Sequence, residues 1–235
     1  MDDKQRIRME VWRKMEEYEI AIYPRPCFGK IPNFVGSVAA ARRVARMPFF
    51  NRARVIYFNP EAPQKPLREM ALRRGKTLVL ATPGLRRGFL VLRPDSVNPG
   101  NIPYAATLRG AIALGERVPV LEDVRIDLFV VGSVAVAPDG GRLGKGNGFS
   151  DLEYAVLREL GVLDSTTPVV TTVHDVQVVE RVPMSRHDVP VDYIATPSRL
   201  IKAEQSYAKP SGVFWDDLPV EIISSIPILK RLAGI

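Results

Sequence analysis

An apolar run, a glycine-rich segment, a helical stretch and a second apolar run follow one another between residues 127 and 173. Asp127-Leu128-Phe129-Val130-Val131 reads as a buried strand, Asp151 to Leu160 as a helix stopped by Gly161, and Pro168 to Val173 as a further strand. Strands alternating with helices in this way call for a parallel sheet covered by helices. The connecting segment, Asp139-Gly140-Gly141-Arg142-Leu143-Gly144-Lys145-Gly146-Asn147-Gly148-Phe149-Ser150-Asp151, carries five glycines and two cations. Glycine permits positive φ and close backbone approach, so successive N–H groups can converge on an anion to which Arg142 and Lys145 add charge. A helix starting near Ser150 would turn its positive end toward the same anion. The spacing GxxGxGxG is neither GxxxxGK[ST] nor a GxGxxG following a strand. Two readings therefore stand on these residues alone: a phosphate cradle, or a glycine-rich hairpin with solvated charges.

The rest of the chain repeats the alternation. Residues 3 to 19 have the spacing of an amphipathic helix with Ile7, Val11 and Met15 on one stripe. The prolines between Tyr23 and Phe34 exclude its continuation and predict an ordered crossing loop. A basic helix is expected over Ser37 to Met47, a strand over Arg54 to Phe58, a helix over Pro66 to Arg74 closed by Gly75, and a strand over Lys76 to Ala81. Phe89 to Leu92 fits a strand, Tyr104 to Leu114 a helix or sheet-edge segment, and Asp192 to Ala195 the last strand. The expected fold is a three-layer α/β/α sheet, open and mostly parallel, with its ligand site beyond the carboxyl ends of the strands. Residues 1–201 form the α/β domain in this reading, and residues 202–235 an extension packed on it.

Composition narrows the function classes. A single cysteine, Cys27, excludes an intrachain disulfide and a cysteine-rich metal cluster and fits a reducing compartment. The first residues mix charges without the apolar core of a signal peptide, and no run approaches the length of a membrane span, so the expectation is a cytoplasmic protein without a membrane partner. Residues 1–120 hold 22 Lys/Arg against 10 Asp/Glu, whereas residues 121–235 hold 11 against 16. The first half is thus suited to an anionic partner, be it a nucleotide, an acidic small molecule or RNA. RNA is the less favoured of these, because the chain has no RNP-like aromatic motif and only 8% aromatic residues.

Three blocks together resemble the 5-formyltetrahydrofolate cyclo-ligase family, also called methenyltetrahydrofolate synthetases: Lys4-Gln5-Arg6-Ile7-Arg8, the stretch Ile126 to Asp151, and Val182-Pro183-Met184-Ser185-Arg186-His187-Asp188-Val189-Pro190-Val191-Asp192. Ile31-Pro32-Asn33-Phe34, Thr82-Pro83-Gly84-Leu85-Arg86, Asp151-Leu152-Glu153-Tyr154 and Val173-His174-Asp175 look like its divergent branch, the methenyltetrahydrofolate synthetase domain-containing proteins. The resemblance spans most of residues 4 to 201. It implies a Rossmann-like cyclo-ligase fold and the ATP- and Mg²⁺-dependent conversion of 5-formyltetrahydrofolate, or a related pterin, to the 5,10-methenyl form. In the family the formyl oxygen is phosphorylated, N10 attacks the activated carbon, and phosphate departs.

The resemblance also implies roles. Lys4 and Arg8 match the family's ATP-contacting K-x-x-[LI]-R motif, and Gly144, Gly146 and Gly148 its nucleotide loop. Lys145 and Arg142 supply the catalytic cations, Asp151 and Asp188 the Mg²⁺ carboxylates, and Glu61 a substrate contact; His174, placed after the apolar run Val169 to Val173, is a second candidate for substrate by its position. Read without it, Lys4 and Arg8 are two surface charges on one helical face, Asp151 caps a helix, Asp188 holds a turn before Pro190, and His174 is a hydrogen-bonded residue at a strand end. Two positions depart from the pattern. The family's Glu-hydrophobic-x-Thr element corresponds to Glu61-Ala62-Pro63-Gln64-Lys65-Pro66-Leu67, and its paired tyrosines to Phe149-Ser150. A non-catalytic nucleotide- or RNA-binding module on the same fold is the alternative.

Overall fold

The computed structural model describes residues 2–235, with twelve strands and nine α-helices. In chain order the strands are β1 (Ala21–Ile22), β2 (Asn33–Phe34), β3 (Val55–Phe58), β4 (Thr77–Ala81), β5 (Phe89–Leu92), β6 (Glu116–Val118), β7 (Leu128–Val131), β8 (Ala135–Val136), β9 (Arg142–Leu143), β10 (Val169–Thr172), β11 (Tyr193–Ala195) and β12 (Leu200–Lys202). The helices are α1 (Asp3–Glu17), α2 (Ser37–Ala45), α3 (Pro48–Arg52), α4 (Lys65–Arg73), α5 (Ile102–Ala105), α6 (Leu108–Leu114), α7 (Phe149–Glu159), α8 (Val220–Ser225) and α9 (Pro227–Ala233).

Eight strands join in the order β12-β11-β10-β7-β3-β4-β5-β6. The five from β11 to β4 run parallel; on one edge β12 pairs antiparallel with β11, and on the other β5 pairs antiparallel with β4 and β6 antiparallel with β5. The parallel strands read VIYF, TLVLA, LFVV and VVTT because both of their faces are covered. The chain lays down β3 and β4, then crosses back over β3 to place β7. The β3–β7 pair is therefore the point where the strand order reverses, and its carboxyl end is where an open α/β sheet leaves a crevice.

Side chains alternate across the sheet. Ile56, Leu78 and Leu128 face Ala41 and Val44 of α2 and Leu67 and Ala71 of α4. Tyr57, Val79 and Phe129 face Tyr154, Val156 and Leu157 of α7, a layer that also takes in Ile226, Ile228 and Leu229 near the C-terminus. A third cluster packs Val11, Trp12 and Met15 of α1 against Phe34, Ala135 and Leu143. This last cluster brings α1 to the glycine segment, which is what makes Lys4 and Arg8 relevant to it. Asp2 starts α1 by accepting the Gln5 N–H at 2.6 Å.

Differences from the sequence expectations have local causes. The basic helix ends at Ala45, ahead of Pro48, which starts the separate helix α3. Tyr104 to Leu114 splits into α5 and α6 at Thr107, whose hydroxyl accepts the Gly110 N–H at 2.9 Å and so starts a new helix. The edge strands β6 and β12 were not expected; they are three residues long and carry exposed charge, which hides them from a search for apolar runs. Among the described residues no helix is long and apolar enough to cross a membrane.

Candidate active site

The glycine segment divides in two. Its first part is a hairpin: β8 pairs with β9 in antiparallel register, Ala135 opposite Leu143 and Val136 opposite Arg142, with Asp139 accepting the Gly141 N–H at 2.8 Å in the turn. Its second part, Gly144 to Gly148, is an open loop leading straight into α7. The hairpin reading of the sequence holds for the first half of the segment. Gly146 has φ +106° and lies so close to Arg8 that an added Cβ would sit 3.3 Å from the guanidinium carbon. Gly148 has φ +69° at the N-cap of α7 and brings no capping side chain of its own, while Asn147 Oδ1 accepts the Phe149 N–H at 3.4 Å.

Around this loop lies a cavity of about 250 Å³ to which Lys4, Arg8, Glu61, Lys145, Asp151 and Asp188 all contribute. Arg8 donates from Nε to the Gly144 carbonyl at 2.8 Å and from Nη1 to Gln5 at 3.2 Å, bracing the loop. Lys4 pairs with Asp188 at 2.5 Å, and Asp188 also accepts the Ser185 N–H at 2.6 Å. Arg142 differs from the expected phosphate-facing cation. It is 2% exposed, and its guanidinium donates to the Val189 carbonyl at 3.0 Å, the Gly132 carbonyl at 3.1 Å and the Asp151 carboxylate. Its position in the buried half of the hairpin turns it inward, so it holds the cavity wall together while Lys145 remains the loop's partly exposed cation.

Asp151 takes two bonds on one oxygen, from Arg142 and from the Val189 N–H at 2.9 Å. Among the described residues no three His, Cys, Asp or Glu side chains are grouped to hold a metal by themselves. Two carboxylates on one cavity wall still fit Mg²⁺, which takes one or two protein carboxylates and completes its shell with water and phosphate oxygens.

A second chamber, about 320 Å³, shares Glu61, Lys145, Asn147 and Ser150 with the first, and adds Asn59, Thr82, Phe149 and Glu153. Lys145 and Glu61 pair at 2.7 Å and belong to both spaces. Asn59, directly after β3, accepts the N–H of Gly132, directly after β7, at 3.0 Å and so spans the strand-order reversal. The Ser150 hydroxyl also donates to it at 3.2 Å. The fully buried Arg68 donates to the Asn59, Pro60 and Glu61 carbonyls and to that of Ala106, fixing the backbone that presents Glu61. His174 does not line either space. Its ring accepts the Val176 N–H at 3.3 Å and packs edge-on to Phe34, and burial lowers its pKa; the structure gives it the helix-capping place of a strand-end histidine.

The chain has relatives among known proteins. Residues 1–197 match the model of the 5-formyltetrahydrofolate cyclo-ligase family. The chain belongs to that family. It is 41% identical over 234 residues to the methenyltetrahydrofolate synthase domain-containing protein of Mus musculus, covering 97% of this chain and 63% of the mouse protein. The human protein of the same name is 38% identical over 234 residues, covering 97% and 61% respectively. The chain therefore spans about three fifths of the length of these relatives. The 5-formyltetrahydrofolate cyclo-ligase of Escherichia coli K12 is 28% identical over 179 residues, covering 71% of this chain and 90% of that one. The solution structure of Aquifex aeolicus 5,10-methenyltetrahydrofolate synthetase shares the fold, with a TM-score of 0.53, 21% identity, and coverage of 87% of this chain and 95% of that one.

In this cyclo-ligase family member the polar floor of the second chamber escaped the sequence reading. Glu153 accepts from the Tyr57 hydroxyl and from Asn59 Nδ2, each at 2.6 Å and both on Oε2. Two signals pointed to it: Asn59 directly follows an apolar strand, and Glu153 interrupts the buried face of α7 beside Tyr154, Val156 and Leu157. Burial raises the Glu153 carboxyl from 4.5 to about 7. Unfolded chains ionise this group at the lower value, so its contribution to stability is full below it and declines as pH rises through the window to about 7, by on the order of 3 kcal/mol. Glu153→Gln keeps an acceptor for both donors and has no proton to lose. Its melting temperature should hold up better than the parent's between about pH 5 and 8. Parallel melting profiles for the two proteins would show that Glu153 does not titrate in this range.

Proposed function

We propose that the chain is an ATP- and Mg²⁺-dependent 5-formyltetrahydrofolate cyclo-ligase. The observation that carries this reading is the Lys145–Glu61 pair at the junction of two adjoining spaces. One has the chemistry for a polyphosphate: the glycine loop, the start of α7, Lys4, Arg8 and Lys145. The other offers carboxylate and amide acceptors to the N–H edges of a reduced pterin, with Phe149 beside them. A formyl oxygen held at the junction receives the terminal phosphoryl group of ATP, releasing ADP. N10 then attacks the formyl carbon and gives up its proton, the C–O bond breaks, and phosphate leaves with the oxygen. Lys145 neutralises charge on the transferring group, and Arg8 and Arg142 keep the loop in place. Asp151 and Asp188 would hold Mg²⁺, which shields the phosphate charge when bound.

The test is to supply ATP, Mg²⁺ and 5-formyltetrahydrofolate and follow methenyltetrahydrofolate by its absorbance. Turnover that needs all three supports the reading; ATP binding without turnover would leave a nucleotide-binding module. Asp188→Asn should raise the Mg²⁺ concentration for half-maximal rate roughly tenfold, while the amide keeps an acceptor for the Ser185 N–H and Lys4 is released from its ion pair. An unaltered Mg²⁺ requirement would remove Asp188 from the metal site.

A further inference from the structure

At Phe149-Ser150, where the family has paired tyrosines, one hydroxyl remains, and it points away from both ligand spaces. Ser150 lines the anion cavity and the second chamber alike, and its Oγ donates to Asn59 Oδ1 at 3.2 Å. Asn59 is 1% exposed, and its amide joins three elements. Oδ1 also accepts the Gly132 N–H after β7 at 3.0 Å, which fixes the orientation of the amide, and Nδ2 donates to Glu153 Oε2 at 2.6 Å. From Gly132 the bonding continues to the anion cavity: its carbonyl accepts from Arg142 Nη1 at 3.1 Å, and Arg142 in turn holds Asp151. Gly132 also abuts the junction, since a Cβ added there would stand 3.2 Å from Glu61 Cγ. One buried side chain thus ties together the anion-cavity wall, the junction and the floor of the second chamber.

We propose that Asn59 is a positioning residue that aligns the two ligands with one another across the Lys145–Glu61 junction. The inference rests on the cyclo-ligase reading of the two spaces and gives a task to a residue outside the glycine loop. Phosphoryl transfer needs the terminal phosphate and the formyl oxygen at near-attack distance, and a misplacement of about 1 Å costs roughly 100-fold in rate. In a buried network whose members are bonded to one another, a displacement at one ligand's wall is passed to the other's. A ligand on the first turn of α7 fixes Ser150, and through it Asn59 and Glu153, so the second ligand meets a floor already in place. By linkage the second ligand favours the first by the same factor. An Asn59 that served stability alone would leave the two ligands independent.

Calorimetric titration of a non-hydrolysable ATP analogue with Mg²⁺, in the presence and absence of saturating 5-formyltetrahydrofolate, reads the coupling. In the parent the folate should tighten the analogue roughly tenfold. Asn59→Ala should bring this factor to about one while binding the analogue alone within about threefold of the parent. With both substrates saturating, its kcat should fall roughly 100-fold, a loss that weaker binding alone does not produce. Ser150→Ala removes one hydroxyl and leaves Gly132 and Glu153 bonded to Asn59; it should lower the coupling factor and kcat partway, and Ser150→Thr should restore both. A parent whose two ligands bind independently, or Asn59 and Ser150 variants with the parent's coupling factor, would overturn the positioning role and leave the cyclo-ligase reading intact. Failure of the parent to bind the analogue or the folate would overturn that reading and this inference with it. Melting curves accompany each variant; should Asn59→Ala not fold, the parent's factor and the two Ser150 variants still decide.

Discussion

Arg142→Met should lower the melting temperature by roughly 6–15 °C, the largest stability loss expected of any single change at the site. The guanidinium is inside the protein and serves three acceptors on three segments: Gly132 after β7, Val189 in the 182–192 stretch, and Asp151 in the first turn of α7. Methionine fills much of the same volume but donates nothing. Two carbonyls lose their partner, and the Asp151 carboxylate, with 15% of its side chain exposed, loses its cation. Breaking one side of a buried pair costs about 3–5 kcal/mol because a charge is left uncompensated. Combining it with Asp151→Leu should therefore recover part of the loss, since no unpaired carboxylate remains. Differential scanning calorimetry of the single and double variants reads this directly. A shift below about 2 °C for the single variant would mean that Arg142 is not the brace the geometry describes.

Arg142 also shows where sequence reasoning stops. The residue type and its place among glycines pointed to an anion, but whether a cation turns inward or outward depends on hairpin register, and that is set by the pairing of Val136 with Arg142. The parallel core was legible because each strand is apolar on both faces and each covering helix has its own period. The edge strands were not, because a solvated edge has no apolar signature. Lys4, Arg8, Lys145, Asp151 and Asp188 converge on one cavity although they are up to 184 positions apart, as Lys4 and Asp188 are. Their spacing in the chain carries no trace of that meeting, so it was available only through resemblance. His174 went the other way: of its two readings, substrate contact or hydrogen-bonded residue at a strand end, the geometry shows a side chain that caps its own 3₁₀ turn. Glu153 and Asn59 were missed for a related reason, since a buried carboxylate is recognised by its partners and these come from β3, far from α7 in the chain.

The largest effect on turnover should come from Lys145→Ala, with kcat down about 10²–10³-fold under saturating ATP and folate. Lys145 stands on the glycine loop with its ammonium at the junction of the two spaces, 2.7 Å from Glu61 and partly open to solvent. In the proposed reaction a phosphoryl group moving from ATP to a formyl oxygen would cross this junction and carry its charge past that ammonium; the loop's other cation, Arg142, is occupied inside. The effect on folding should be small, within about 1 kcal/mol, since a half-exposed ion pair contributes little to stability. That contrast separates Lys145 from Arg142: one variant loses rate and keeps its melting temperature, the other loses melting temperature first. Lys145→Arg should restore only part of the rate, because a planar fork does not place its charge where a compact ammonium does. Glu61→Gln should act mainly on KM for 5-formyltetrahydrofolate, as a carboxylate acceptor for the substrate is lost while the cation stays. Should Lys145→Ala turn over at the parent's rate with an intact fold, phosphoryl transfer does not pass through this junction, and the two spaces serve unconnected ligands.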